Sequence, residues 1–341
     1  MKAVRRFRRT GGGTSPGVAP FQILSLSGGG YRGLFSAIIL EDLENKAGKP
    51  LRECFDLVAG TSIGGILACG IATGVPAERI RSEFERLGHR VFERKRVSLM
   101  GRHLFEVPPL GVLSARYSRV GLEEAVDGVL GDKAEISLAT LSKPLIVPAV
   151  SATTSEAVVF ESGRNAGANG DVSLRDVAFA TSAAPTFFPE HHIAGRSLVD
   201  GGIIANAPDI VSVIKAMTTF GRKADEIRLL SIGTTGAPTG EVYKPNRSSG
   251  ILGWTMARNL FGLTVAAQQN LAVSLSSDLL SHRAVRIDYA ADHNRGKVIG
   301  LDKAGSTASD ALRGLAVQAL DSAFRANGGT IKSMLRHSAG H

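Results

Sequence analysis

Ser62 sits at the centre of Gly60-Thr61-Ser62-Ile63-Gly64, a GxSxG pentapeptide. A serine hydroxyl is a weak nucleophile until a base takes its proton. The pentapeptide alone arises often by chance, so its setting decides. The apolar run 55–59 before it reads as a buried strand. Residues 63–73 after it, small and apolar, read as a helix. A strand that turns directly into a helix strains the backbone at the serine and projects its hydroxyl from the carboxyl edge of a sheet. Gly60 and Gly64 relieve crowding at such a turn. The helix start offers free N–H groups and a positive dipole end to a developing anion. An ordinary turn with Ser62 as a helix cap is the competing reading.

A second cluster, Gly28-Gly29-Gly30-Tyr31-Arg32-Gly33, also lies between a strand and a helix. It satisfies GxGxxG, so a dinucleotide site has to be weighed. That reading wants an acid at the carboxyl end of the second strand. Here that place is taken by the serine turn, and Asp56 lies near the strand's start. The loop is better read as an oxyanion hole. The N–H groups of Gly29 and Gly30 would face a carbonyl oxygen as it gains charge. Arg32 would add positive charge or organise the loop.

Two kinds of base are open to Ser62. Eight histidines are present, none in a recognisable signature. Asp200 ends the apolar run Leu198-Val199-Asp200 and precedes Gly201 and Gly202. A half-buried carboxylate there would bind a proton more tightly than a free one. A turn-forming aspartate is the plainer reading of the same residue. The order Ser62, Asp200, then His282 or His293 would also suit an α/β-hydrolase triad.

These residues need a frame. Apolar strands at 21–26, 55–59, 145–150, 157–160, 197–199, 227–232 and 284–288 alternate with helices at 34–46, 63–73, 77–91, 120–130, 174–181, 207–219, 251–282 and 307–326. Near-continuous apolar strands between helices predict an α/β fold with a largely parallel sheet. Nothing divides the chain after Pro20. A basic tail, 1–19, is expected to precede one domain at 20–335, with core motifs at 21–233 and a helical extension at 250–335. The stretch 234–250 reads as a loop or lid, and 94–116 as basic and irregular.

The chain carries a net charge of +9 over 341 residues. The tail supplies Lys2, Arg5, Arg6, Arg8 and Arg9 and no acid, so the remainder is only mildly basic. Such an arm suits an anionic surface, but no nucleic-acid motif accompanies it, and no nucleic-acid partner is expected. The cysteines, Cys54 and Cys69, lack zinc-site spacing and fit a reducing cytoplasm. No apolar run reaches membrane-spanning length, and the amino terminus does not read as a secretory signal. Membrane contact is expected to be peripheral, from a cytoplasmic location.

Five ordered segments together resemble the patatin-like phospholipase family. They are ILSLSGGGYRGLFSAIILEDLE (23–44), FDLVAGTSIGGILA (55–68), ATSAAPTFFP (180–189), LVDGG (198–202) and LSIG (230–233). The resemblance covers about residues 21–233. It implies a three-layer α/β/α sandwich and hydrolysis of phospholipid or lysophospholipid esters. It implies Ser62 as nucleophile, Asp200 as proton acceptor and 28–33 as the oxyanion loop, with no metal or cofactor. Ser27 departs from the family, where many members have Asp. The run SGGGYRGLF and the helical carboxyl-terminal part also look similar to bacterial patatin effectors of anti-phage defence. That narrower resemblance implies a cyclic di- or trinucleotide activator and a homo-oligomer. The basic residues Arg94, Lys95, Arg96 and Arg102 would then bear on activation, though a solvated face is their plainer reading. A non-catalytic lipid- or nucleotide-binding module on the same fold is the remaining alternative.

Overall fold

The first strand sets the pattern of the whole sheet. Phe21–Leu26 (FQILSL) is buried at every position. Successive side chains of a strand point to opposite faces. Phe21 and Ile23 accordingly join one apolar cluster, and Leu24 and Leu26 the other. The strands Leu57–Gly60 and Ile227–Ile232 divide the same way, with Leu57, Ala59, Ile227 and Leu229 on one side and Val58, Leu230 and Ile232 on the other. A sheet apolar on both faces must be covered on both.

These relations come from a computed structural model, which describes residues 19–93, 98–99, 102–103, 115–236 and 260–340. In chain order the strands are β1 (Phe21–Leu26), β2 (Leu57–Gly60), β3 (Ser98–Leu99), β4 (Arg102–His103), β5 (Leu145–Ser151), β6 (Ala157–Glu161), β7 (His191–Ile193), β8 (Arg196–Asp200), β9 (Ile227–Ile232) and β10 (Ala284–Ile287). The helices are α1 (Gly33–Ala47), α2 (Leu51–Cys54), α3 (Ile63–Ala72), α4 (Ala77–Val91), α5 (Arg119–Leu130), α6 (Leu174–Ser182), α7 (Gly202–Ala205), α8 (Asp209–Thr218), α9 (Leu260–Leu280), α10 (His293–Val298) and α11 (Ser306–Arg336).

The main sheet runs β10-β9-β1-β2-β5-β8-β7, with β6 paired to β5. From β10 to β5 every neighbour is parallel. The β5–β6, β5–β8 and β7–β8 pairs are antiparallel. Helices α1, α3, α4, α5, α6 and α11 build the larger core on one face. Helix α8 and the end of α9 cover the other through Val213, Ala216 and Leu280. The fold is thus a three-layer α/β/α sandwich, largely parallel with an antiparallel margin.

Several elements depart from the sequence reading. The helix read over 207–219 is α8, which starts after Pro208, and a separate short helix, α7, precedes it where none was expected. The last helix continues past 326 to Arg336, with non-helical backbone at Asn327 (φ −133°, ψ 21°). Asn327, Gly328 and Gly329 resemble a stop, yet buried Ile331, Met334 and Leu335 hold the continuation against the core. The strand β7 was not expected. Residues 1–18, nearly all of the basic tail, lie outside the described residues, as do Arg94, Lys95, Arg96, 237–250 of the loop, and 251–259 of the long helix. Arg102 lies in a two-residue ribbon, and its side chain is not described.

Candidate active site

The turn after β2 positions Ser62. Its backbone has φ 56° and ψ −129° at the start of α3, a conformation that side chains other than glycine rarely adopt. The surroundings hold it there. Ser62 N–H donates to Thr181 Oγ1 (2.9 Å), whose hydroxyl donates to Pro148 O (2.6 Å). Next to it, Thr61 Oγ1 donates to Ala205 O (2.6 Å). Gly60 and Gly64 are required by closeness. A Cβ on Gly60 would stand 2.0 Å from Gly64 O, and one on Gly64 2.3 Å from Leu26 O.

Asp200 arrives on β8, which pairs with β5 at Ala149. Ser62 Oγ donates to Asp200 Oδ2 at 2.6 Å. The other carboxylate oxygen accepts the N–H of Gly202, also at 2.6 Å. The turn-forming role and contact with the serine therefore coexist in one side chain. Asp200 is 5% exposed. Burial pushes its pKa up from 3.8 to about 6, against the hydrogen bonds from Ser62 and Gly202 that favour its charge. Gly201 is packed against β5, where a Cβ would meet Pro148 O at 2.2 Å.

The glycine loop lies directly against the serine: a Cβ on Gly28 would be 3.1 Å from Ser62 Cβ. Gly28 is clamped at both ends. Its N–H donates to Asn206 O (2.9 Å), and its carbonyl accepts from Asn206 Nδ2 (3.2 Å) and Thr234 Oγ1 (2.8 Å). Gly30 takes φ +56°, and its Cα faces Leu301 O, which also accepts the N–H of Tyr31 (2.8 Å). Gly33 packs on Ile63 at the start of α3. Among the described residues, nothing accepts the N–H groups of Gly29 and Gly30. Arg32 donates to Thr235 O (2.9 Å) and Gly29 O (3.4 Å), so its guanidinium braces the loop. Burial pulls its pKa down, opposed by the nearby Asp288 carboxylate. Ser27, the departure from the family, accepts from Arg286 Nη1 (3.0 Å) beneath the loop.

The serine, Asp200 and the glycine loop open into a cavity of about 910 Å³. Its walls include the apolar Ile66, Phe84, Val91, Leu122, Phe187 and Phe188. Such a space can take a hydrocarbon chain beside the polar groups. Among the described side chains, no histidine lines it. His282 is exposed beyond the end of α9. The side chain of His293 lies outside the described ones. Asn206, Thr181 and Thr234 were not singled out from sequence. Asn206 also donates to Gln269 Oε1 (2.5 Å) on α9, tying the loop to that helix.

Comparison with known proteins places the chain in a family. Residues 24–208 match the family described as patatin-like phospholipase. A protein of Pseudomonas aeruginosa named cGAMP-activated phospholipase is 32% identical over 303 residues, 87% of each chain. Proteins of the same name from Escherichia coli and Vibrio cholerae are 30% and 31% identical, over 90% and 84% of this chain and 90% and 86% of theirs. Patatin-17 of Solanum cardiophyllum is 27% identical over 68% of this chain and 64% of its own. The chain belongs to the patatin-like phospholipase family, hydrolases of lipid esters.

Proposed function

We propose that the protein is a phospholipid acyl hydrolase that works through a Ser62–Asp200 dyad and is switched on by a cyclic nucleotide. The observation that carries the dyad is the 2.6 Å hydrogen bond from Ser62 Oγ to a buried carboxylate, beside two N–H groups without acceptors. Ser62 Oγ attacks the acyl carbonyl carbon as Asp200 Oδ2 takes its proton. The N–H groups of Gly29 and Gly30 receive the oxyanion. The tetrahedral intermediate collapses, and the leaving alcohol, a lysophospholipid, takes the proton from Asp200. A water then gives a proton to Asp200 and attacks the acyl-serine. Collapse of that second intermediate frees the fatty acid and returns the proton to Ser62. A carboxyl pKa near 6 suits both duties, since the group is ionised at neutral pH yet more basic than a free carboxylate.

The activator rests on relatives. Three proteins named cGAMP-activated phospholipase match along 84–90% of this chain. A cyclic dinucleotide of the cGAMP type is therefore the first candidate, with cyclic trinucleotides next. In this reading one domain, 20–335, follows the basic tail. The enzyme assembles as a homo-oligomer in the cytoplasm and meets the membrane peripherally.

The test is release of fatty acid and lysophospholipid from defined vesicles across a panel of cyclic di- and trinucleotides. One panel member, cGAMP first, raises release at least tenfold, and Ser62→Ala or Asp200→Asn removes about a thousandfold or more of it. Fatty-acid release that survives Ser62→Ala would contradict the reading.

A further inference from the structure

Helix α9 (Leu260–Leu280) is unusual for a surface helix. Asp278 is its only charged residue. Leu263, Leu271, Leu275 and Leu279 are nevertheless exposed, Leu271 by 60%. A spacing of four puts Leu271, Leu275 and Leu279 on successive turns of one side. Ala272, Ser276 and Leu280, each one position further round the helix, are buried. Ile204 on α7 and Ile214 on α8 are exposed too, and both helices pack against α9. Asp278, three residues after Leu275 and seven after Leu271, is exposed on the same side, so the row of leucines carries one acid. Scattered apolar side chains are ordinary on a protein surface, whereas a row of large ones along one helix marks a surface covered in use.

Two observations say what covers it. The face begins at the catalytic opening, because Phe261 and Leu263 both line the cavity and are exposed. A second copy seated there would sit over the entrance that lipid must pass. Lys297 and Lys303 line the same cavity and are also exposed. Apolar side chains with nearby cations complement the acyl boundary and headgroups of an anionic leaflet. With 21 residues α9 is about 30 Å long, but no described helix is long and apolar enough to cross a membrane. It suits lying along the surface.

We propose that the exposed face of α9, with Lys297 and Lys303 at the opening, docks on an anionic phospholipid bilayer and brings the cavity mouth against it. The proposal rests on the phospholipid hydrolase reading and adds the face through which substrate arrives. It is tested with the full chain and saturating cGAMP. Binding is read by co-sedimentation with phosphatidylglycerol vesicles in a Ser62→Ala background, so that lipid is not consumed. Replacing Leu271, Leu275 and Leu279 together by Ser lowers binding about tenfold or more. In the Ser62 background the same triple change leaves turnover of a soluble short-chain ester within about twofold. A second variant needs no loss of function. Cys54 and Cys69 are buried, so a polarity-sensitive dye goes to Leu275→Cys, and its emission shifts to the blue on phosphatidylglycerol vesicles. Unchanged sedimentation, or no blue shift, overturns the proposal. So does loss of self-association in the triple variant with vesicle binding intact, which would make α9 a contact between copies. Absent soluble-ester turnover in the Ser62 protein, with vesicle binding retained, would instead remove the hydrolase reading and leave docking standing.

Discussion

In the proposed dyad Asp200 is a base inside a site that resists its charge. Burial raises its pKa from 3.8 to about 6, so activity should climb with pH through about 6 and level off above. Stability runs the other way. The folded protein binds this proton more tightly than the unfolded chain, so it loses stability as pH rises from about 4 to about 6. Asp200→Asn removes the buried charge. Chemical denaturation should find the variant more stable at pH 8 by on the order of 1–3 kcal/mol, with the gain fading towards pH 4. Ser62 carries a second local cost in its positive φ of 56°. Ser62→Gly adopts that conformation without strain, so it should exceed Ser62→Ala in stability by about 1 kcal/mol while both lack turnover. Equal melting temperatures for the two would argue against strain at the elbow.

Among the elements, the proposed oxyanion hole depends on the glycine loop keeping its N–H groups aimed. Asn206, just after α7, holds Gly28 by its backbone and its amide and reaches Gln269 on α9. Asn206→Ala should lower kcat about 10–100-fold with little change in KM, because it loosens donors that act mainly in the transition state. A matched rise in KM without loss of kcat would assign Asn206 to substrate binding. This residue also marks the boundary of what sequence could tell. Strand–turn–helix junctions are local, so the segments around Gly28, Ser62 and Asp200 were legible from apolar runs and glycines. The contact between Asn206 and Gly28 joins residues 178 apart, and nothing near Asn206 announces it. The same limit left a histidine triad open, since side-chain direction across the cleft is a tertiary fact. The continuation of α11 past Asn327 was missed for a related reason: buried contacts outweighed a local stop signal.

The whole molecule places a strained site with a buried carboxylate at the carboxyl ends of β1, β2 and β8, under a cavity shared with α9. A ligand that binds only the folded state stabilises it by mass action, about 2.7 kcal/mol at a hundredfold excess over Kd. Saturating cGAMP should therefore raise the melting temperature of Ser62→Ala protein by several degrees, with no need for substrate. No shift with any cyclic nucleotide would remove the activator from the account and leave the hydrolase intact. The two cysteines should stay silent throughout. Burial pushes the Cys54 and Cys69 thiols up to about 11 and about 12, so neither should react with a thiol reagent until the protein unfolds.

The central claim is that Asp200 activates Ser62. It is tested most directly by the rate at which a fluorophosphonate labels Ser62, followed by peptide mass spectrometry from pH 4.5 to 8.5 with cGAMP present. The rate should rise with an apparent pKa near 6, and Asp200→Asn protein should be labelled about a thousandfold more slowly with no such rise. Labelling of Asp200→Asn at the wild-type rate, with the same pH profile, would contradict it.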